Sequence, residues 1–139
     1  MNTRRGYGAA RSSLGIALLE QGSRRGGAES QDLLGRAEAV LQQTLEVFPR
    51  PYQPLEWAEV QHYLGRAYAE QGRWLTKEDR TRALAEAVAA YQRAMEIRTR
   101  EHMPNYWAET QTALGTALVD QAKRMDRDTA KRLLDEAIE

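Results

Sequence analysis

Apolar residues recur along this chain at intervals of three and four, the spacing that keeps them on one face of an α-helix. Trp57, Val60, Leu64, Ala67 and Tyr68 form one such stripe, with Gln61 beside it, and Leu84, Ala87, Val88, Tyr91, Ala94 and Met95 form the next. Leu34, Ala37, Leu41, Thr44 and Leu45 form another. No segment alternates apolar and polar residues with the period of two and the β-branched content of a strand. The pattern predicts an all-α chain. Helix-start signals agree with it. Pro54 and Pro104 suit the first turn of a helix, where a missing N–H is no loss. Ser30, and Thr76 followed by Asp79, suit N-terminal caps.

The stripes repeat every 50 residues without gaps. Leu14-Gly15, Leu64-Gly65 and Leu114-Gly115 coincide, as do Gln21, Gln71 and Gln121, then Leu34, Leu84 and Leu134, then Ala37, Ala87 and Ala137. Tyr7, Trp57 and Trp107 occupy one shared position, and Trp57-Ala58-Glu59 returns as Trp107-Ala108-Glu109. Between residues 51–89 and 101–139, 13 of 39 positions are identical, too many for chance. The chain therefore reads as a single domain over 1–139, made of repeats at 1–50, 51–100 and an incomplete 101–139. Each repeat is expected to be a helix-turn-helix hairpin, its first helix ending near Gly72 or Lys123. The second repeat continues from Ala89 to Glu96, whereas the third stops at Ile138-Glu139. Repeat arrays normally finish on a polar capping helix, so the expectation is a fragment of a longer array.

These residues resemble the tetratricopeptide repeat. Its Leu-Gly-x-x-Tyr and Ala-x-x-x-Phe pattern is matched by Leu64-Gly65-Arg66-Ala67-Tyr68 and by Ala87-x-x-x-Tyr91, with Ala94 at the next small position. The first unit offers Leu14-Gly15-x-x-Leu18 and Ala37-x-x-x-Leu41; the third offers Leu114-Gly115-x-x-Leu118 and Ala137. Small Gly and Ala let helices approach while Leu and Tyr fill the space beside them. Two features depart from the family. Its period is about 34 residues, against 50 here, and Trp57 precedes Leu64 by two turns, where the family Trp would stand at Gln61. Helices one or two turns longer than usual are expected. The resemblance implies a right-handed superhelical stack of hairpins, an α-solenoid of about two and a half to three repeats.

It also implies a concave face lined by the first helix of each hairpin. Carried over by position, that face comprises Ala9, Ser12, Ile16 and Leu19; Glu59, His62, Arg66 and Ala69; and Glu109, Thr112, Thr116 and Val119. The mixture of charge and apolar surface suits a peptide or helix of another protein. Arg66 would meet an acidic group on that partner, and Ile16 and Leu19 would supply apolar contact. The implied function is a non-catalytic protein-protein interaction scaffold. Self-assembly through uncapped repeat ends is an alternative, with polar substitutions at Leu133, Leu134 and Ile138 expected to relieve it.

Composition narrows these readings. The chain has 139 residues, with 20 Lys+Arg against 20 Asp+Glu and no Cys. A formal charge of zero disfavours a protein that coats nucleic acid or a membrane surface, either of which needs an excess of one sign. No apolar run approaches a membrane span, and the basic start Met1 to Gly6 leads into no apolar stretch of a signal peptide; a cytoplasmic protein is expected. Without Cys there is no disulfide framework, thiol chemistry or Cys-bound zinc.

Candidate chemistry is sparse. Glu59-x-x-His62 has the form of a di-iron half-site, but the matching positions are Glu109-x-x-Thr112 and Ala9-x-x-Ser12, and His102 lies in a linker. No metal and no cofactor is expected. Arg24 and Arg25, then Arg73, Lys77, Arg80 and Arg82, then Lys123, Arg124 and Arg127 place cations in the hairpin turns. Stacked, they would form a ridge for nucleic acid, a weaker alternative, since neighbouring Glu78, Asp79, Asp126 and Asp128 offset them. Gly22 to Gly27 has the composition of a phosphate loop but neither the preceding strand nor the Lys-Ser/Thr pair, and reads as a flexible turn. Neither histidine has a serine and an orienting acid in place for nucleophilic catalysis. Trp57, Trp107 and Tyr7 are expected in the core between repeats, and Trp74 at the groove edge or over the end of a second helix.

Overall fold

The computed structural model describes the backbone of residues 3–138 and the side chains of residues 6–136. Five helices follow one another: α1 (Thr3–Arg24), α2 (Gly27–Val47), α3 (Pro54–Gly72), α4 (Lys77–Met95) and α5 (Pro104–Ile138). No strand occurs among the described residues. Each helix lies against the next, and the alternate helices α1, α3 and α5 also touch in sequence. The core is a chain of small clusters that cross from one repeat to the next. Leu18, Leu19, Leu33, Leu34 and Ala37 meet Ala67; Leu41 and Phe48 meet Val60, Leu64 and Ala90; Ala87 and Tyr91 meet Ala117. The three- and four-residue stripes are the surfaces buried.

In the first two repeats the Leu-Gly pair marks a close approach of the two helices. A Cβ on Gly15 would stand 2.8 Å from the Leu41 side chain, and one on Gly65 would stand 2.5 Å from the Tyr91 ring. Any side chain there pushes the hairpin apart. On Gly115 the same Cβ meets nothing within 4 Å.

That difference traces to the third repeat, which forms no hairpin. The expected break near Lys123 is absent, and α5 runs unbroken for 35 residues. The two existing hairpins explain why. Both turns end on a residue in the left-handed region, Gly27 at φ 67° and, fifty positions on, Lys77 at φ 38°. Glycine adopts that conformation freely; other residues do so at a cost. The next equivalent, Arg127, stays helical. Ala122 and Arg124 replace Gly72 and Trp74, and both are good helix formers. The chain therefore holds two hairpins and one long helix.

Smaller corrections concern caps and aromatics. The N-cap of α2 is Gly26, and Ser30 sits inside the first turn, donating its hydroxyl to the Gly22 carbonyl at the end of α1. Thr76 does occupy the N-cap of α4, with extended backbone but no side-chain capping bond. Trp57 and Trp107 are half-buried at the surface. Arg50 lies 5.0 Å over Trp57, and its repeat equivalent Arg100 lies 5.6 Å over Trp107. Tyr7 is exposed, with Arg11 over its ring. Trp74 leans toward Gly26 in the neighbouring turn, and its carbonyl accepts from the Gln31 side chain at 3.2 Å. It thus covers the start of α2, not the end.

Candidate functional site

Two open depressions gather most of the residues assigned to the concave face. His62 and Arg66 from α3 join Glu109, Thr112 and Thr116 from α5 around a depression of about 390 Å³, with Glu70, Tyr91 and Asp120 completing its wall. Ser12 and Ile16 from α1 join Glu59 from α3 around another of about 300 Å³, beside Glu56 and Phe48. A smaller hollow shares Glu56 and Glu59 and reaches Arg98 and Tyr106. The helical spacing brings each set together because residues three and four apart share a face.

Leu19 does not belong there. It is 0% exposed, in the cluster with Leu18, Leu33 and Leu34, so it cannot supply apolar contact to a partner. Ser12 and His62 line their depressions as floor, at 8% and 1% exposed. Glu59, Glu109, Thr112, Thr116 and Val119 are exposed, and Arg66 is half-buried with its guanidinium 5.7 Å from the Tyr63 ring.

Under the larger depression lies a buried polar chain. Arg98, in the linker after α4, donates to Thr110 Oγ1 at 3.3 Å. Thr110 Oγ1 lies 2.9 Å from His62 Nδ1, and His62 Nε2 lies 3.2 Å from Glu109 Oε1. Arg is only a donor, so Arg98 gives to Thr110 Oγ1. With the Thr110 proton directed at Nδ1, Nε2–H gives to the Glu109 carboxylate, the pattern of a neutral imidazole. Burial, and then the charges of Arg98 and Arg66, lower the His62 pKa from 6.5 to about 4. The half-exposed Glu109 carboxylate pulls the other way, weakened by solvent. Burial also raises the Tyr91 hydroxyl well above its usual range.

Thr110, His62 and Glu109 have the order of a nucleophile, base and orienting acid. Their burial is reversed. The threonine is 0% exposed and the acid faces water, so the hydroxyl has no path to a substrate. The set ties α3 to α5. Sequence reasoning missed Arg98 and Thr110, although a signal existed. They stand where the preceding repeat has Phe48 and Val60, polar residues at positions the other repeat fills with apolar core.

Glu59 and His62 line separate depressions, and among the described residues no group of three His, Asp or Glu side chains is placed to hold a metal. The basic turns are partly offset: Arg25 pairs with Glu29, Arg73 with Glu70 at 3.2 Å, and Arg82 with Asp79 at 3.8 Å. Lys123, Arg124 and Arg127 lie within α5, so the third turn of the expected ridge does not exist. The glycine-rich stretch narrows to Arg25-Gly26 between two helices.

Comparison with known proteins finds no family model, no characterised protein and no solved structure that matches the chain. No described helix is long and apolar enough to cross a membrane.

Proposed function

We propose that the chain is a tetratricopeptide-like α-solenoid that works as a non-catalytic interaction module, holding an extended or helical segment of another protein on its concave face. One observation carries this reading. Positions related by the repeat, Ser12, His62 and Thr112, with Arg66 and Thr116, and Glu59 and Glu109, line depressions formed by the first helices. The charge of those depressions sharpens the partner. Arg66 is the cation of the larger one among the described residues, facing Glu70, Glu109 and Asp120, while Glu56 and Glu59 line the other two. Carboxylates prevail, so the partner segment presents Lys or Arg to the groove, and an acidic group near Arg66 is secondary.

The test is selection of binders from a random-peptide library, followed by binding to a Glu59→Lys, Thr116→Lys variant of equal helicity. Both positions are exposed, so the fold is kept. Enrichment of basic peptides that the variant fails to bind is the expected result. Selection of none, or of peptides the variant holds equally well, sinks the groove assignment. Self-assembly is a second reading, favoured by the uncovered second half of α5. The nucleic-acid reading has lost its third turn.

A further inference from the structure

Among the described residues, six of the eleven large apolar side chains that are exposed lie on α5: Tyr106, Leu118, Val119, Met125, Leu133 and Leu134. The repeat says what covers two of these positions elsewhere. Leu34 and Leu84, equivalent to Leu134, are 0% and 2% exposed, whereas Leu134 is 64% exposed. Each of the buried pair closes a hairpin against its own first helix. A Cβ on Gly22 would stand 2.8 Å from Leu34, and one on Gly72 would stand 3.7 Å from Leu84. The equivalent of Gly22 and Gly72 is Ala122, and Leu118 stands where buried Leu18 contacts the same cluster. One chain thus carries both halves of a hairpin interface.

It cannot join them. Along a straight helix, positions 122 and 134 are about 18 Å apart. Folding back needs the left-handed residue that Gly27 and Lys77 supply, and α5 is helical through Arg127. The side of the second half turned toward α4 is charged, with Asp128, Lys131, Arg132 and Asp135 facing Lys77 and Glu78 across a depression. Leu133 and Leu134 are left outward. We propose that a second copy of this chain covers them by helix exchange. The second half of α5 from one copy lies on the Leu118–Ala122 face of the other, and the reverse, around a two-fold axis. The exchange does not depend on the groove reading, and groove peptides should still bind a monomeric variant.

The absence of Cys makes the test specific. In an Ala122→Cys, Leu134→Cys variant, exchange brings the two thiols together only between copies. The expected result is a covalent dimer on a non-reducing gel, with the unmodified chain sedimenting at twice 15.8 kDa. An Ala122→Gly, Arg127→Gly variant, given a turn like those of the first two repeats, and a Leu134→Glu variant should both sediment as monomers, the second with unchanged helicity. An intramolecular disulfide would mean that the chain folds back on itself. That outcome, a monomeric unmodified chain, or a dimer indifferent to Leu134→Glu would each overturn the proposal.

Discussion

Gly65 and Gly115 occupy the same place in successive repeats and should answer alanine in opposite directions. A methyl at position 65 collides with the Tyr91 ring, and overpacking of this kind destabilises by about 1–3 kcal/mol. Position 115 has open space, so alanine there gains helix propensity of up to about 1 kcal/mol. Urea midpoints of the two variants should move apart on either side of the parent chain. Lys77 is a second such position. Its φ of 38° suits glycine, and Lys77→Gly should raise stability by about 0.5–1 kcal/mol, read from the same unfolding curves.

His62 sets a pH dependence. Its pKa is near 6.5 in the unfolded chain and about 4 in the fold. Above pH 6.5 both states hold a neutral ring and its contribution to stability is complete. As pH falls from 6.5 toward 4, the unfolded chain takes up a proton that the folded chain refuses, so stability drops through that window and levels off below it. Subtracting the profile of His62→Gln from that of the parent isolates this loss; parallel profiles would show that His62 does not titrate in this way.

At the scale of elements, the two seams between repeats differ in chemistry. Phe48, Val60 and Leu64 fill the matching part of the first with apolar side chains, with Gln71 bonding to the Leu34 carbonyl and to Glu38 elsewhere along it. The second is closed by Arg98, Thr110 and His62. Thr110→Val removes the hydroxyl that serves both neighbours, leaving buried polar groups without partners at about 1–3 kcal/mol. Adding Arg98→Phe, which restores the residue type of the first seam, should recover part of that loss. A double-mutant cycle in urea would show positive coupling, and simple additivity would mean that the three residues do not act as a unit.

The elements also show what was legible in the sequence. Periodicity and proline placement located the helices, because those signals depend on local geometry. Leu34, Leu84, Ala37 and Ala87 were readable as core for the same reason. The turn at Lys123 was misread because similarity to the second repeat was carried forward past Ala122 and Arg127, where the glycine and the left-handed residue needed to stop a helix are missing. Leu19 shares its repeat position with half-buried Ala69 and exposed Val119, but packs with Leu18, Leu33 and Leu34, so position in the repeat alone does not place it. The His62 set was hidden because its members come from a helix, a linker and the next repeat. Only comparison of Phe48 with Arg98, and of Val60 with Thr110, carried a hint.

For the whole molecule, the two seams make the stack uneven from end to end. The seam between α2 and α3 is held by an apolar cluster, which acid leaves intact, with side-chain hydrogen bonds from Gln71 and Gln42 beside it. The seam between α3 and α5 contains a histidine whose protonation is opposed by burial and by two nearby guanidinium groups. Mild acid should therefore act like a perforation in a strip, with parting expected along that line before either hairpin opens. In hydrogen-exchange experiments at pH 5, amides of residues 106–120 should lose protection while those of α1 and α2 keep theirs. The order of disassembly is thus written into which repeat received Phe48 and which received Arg98.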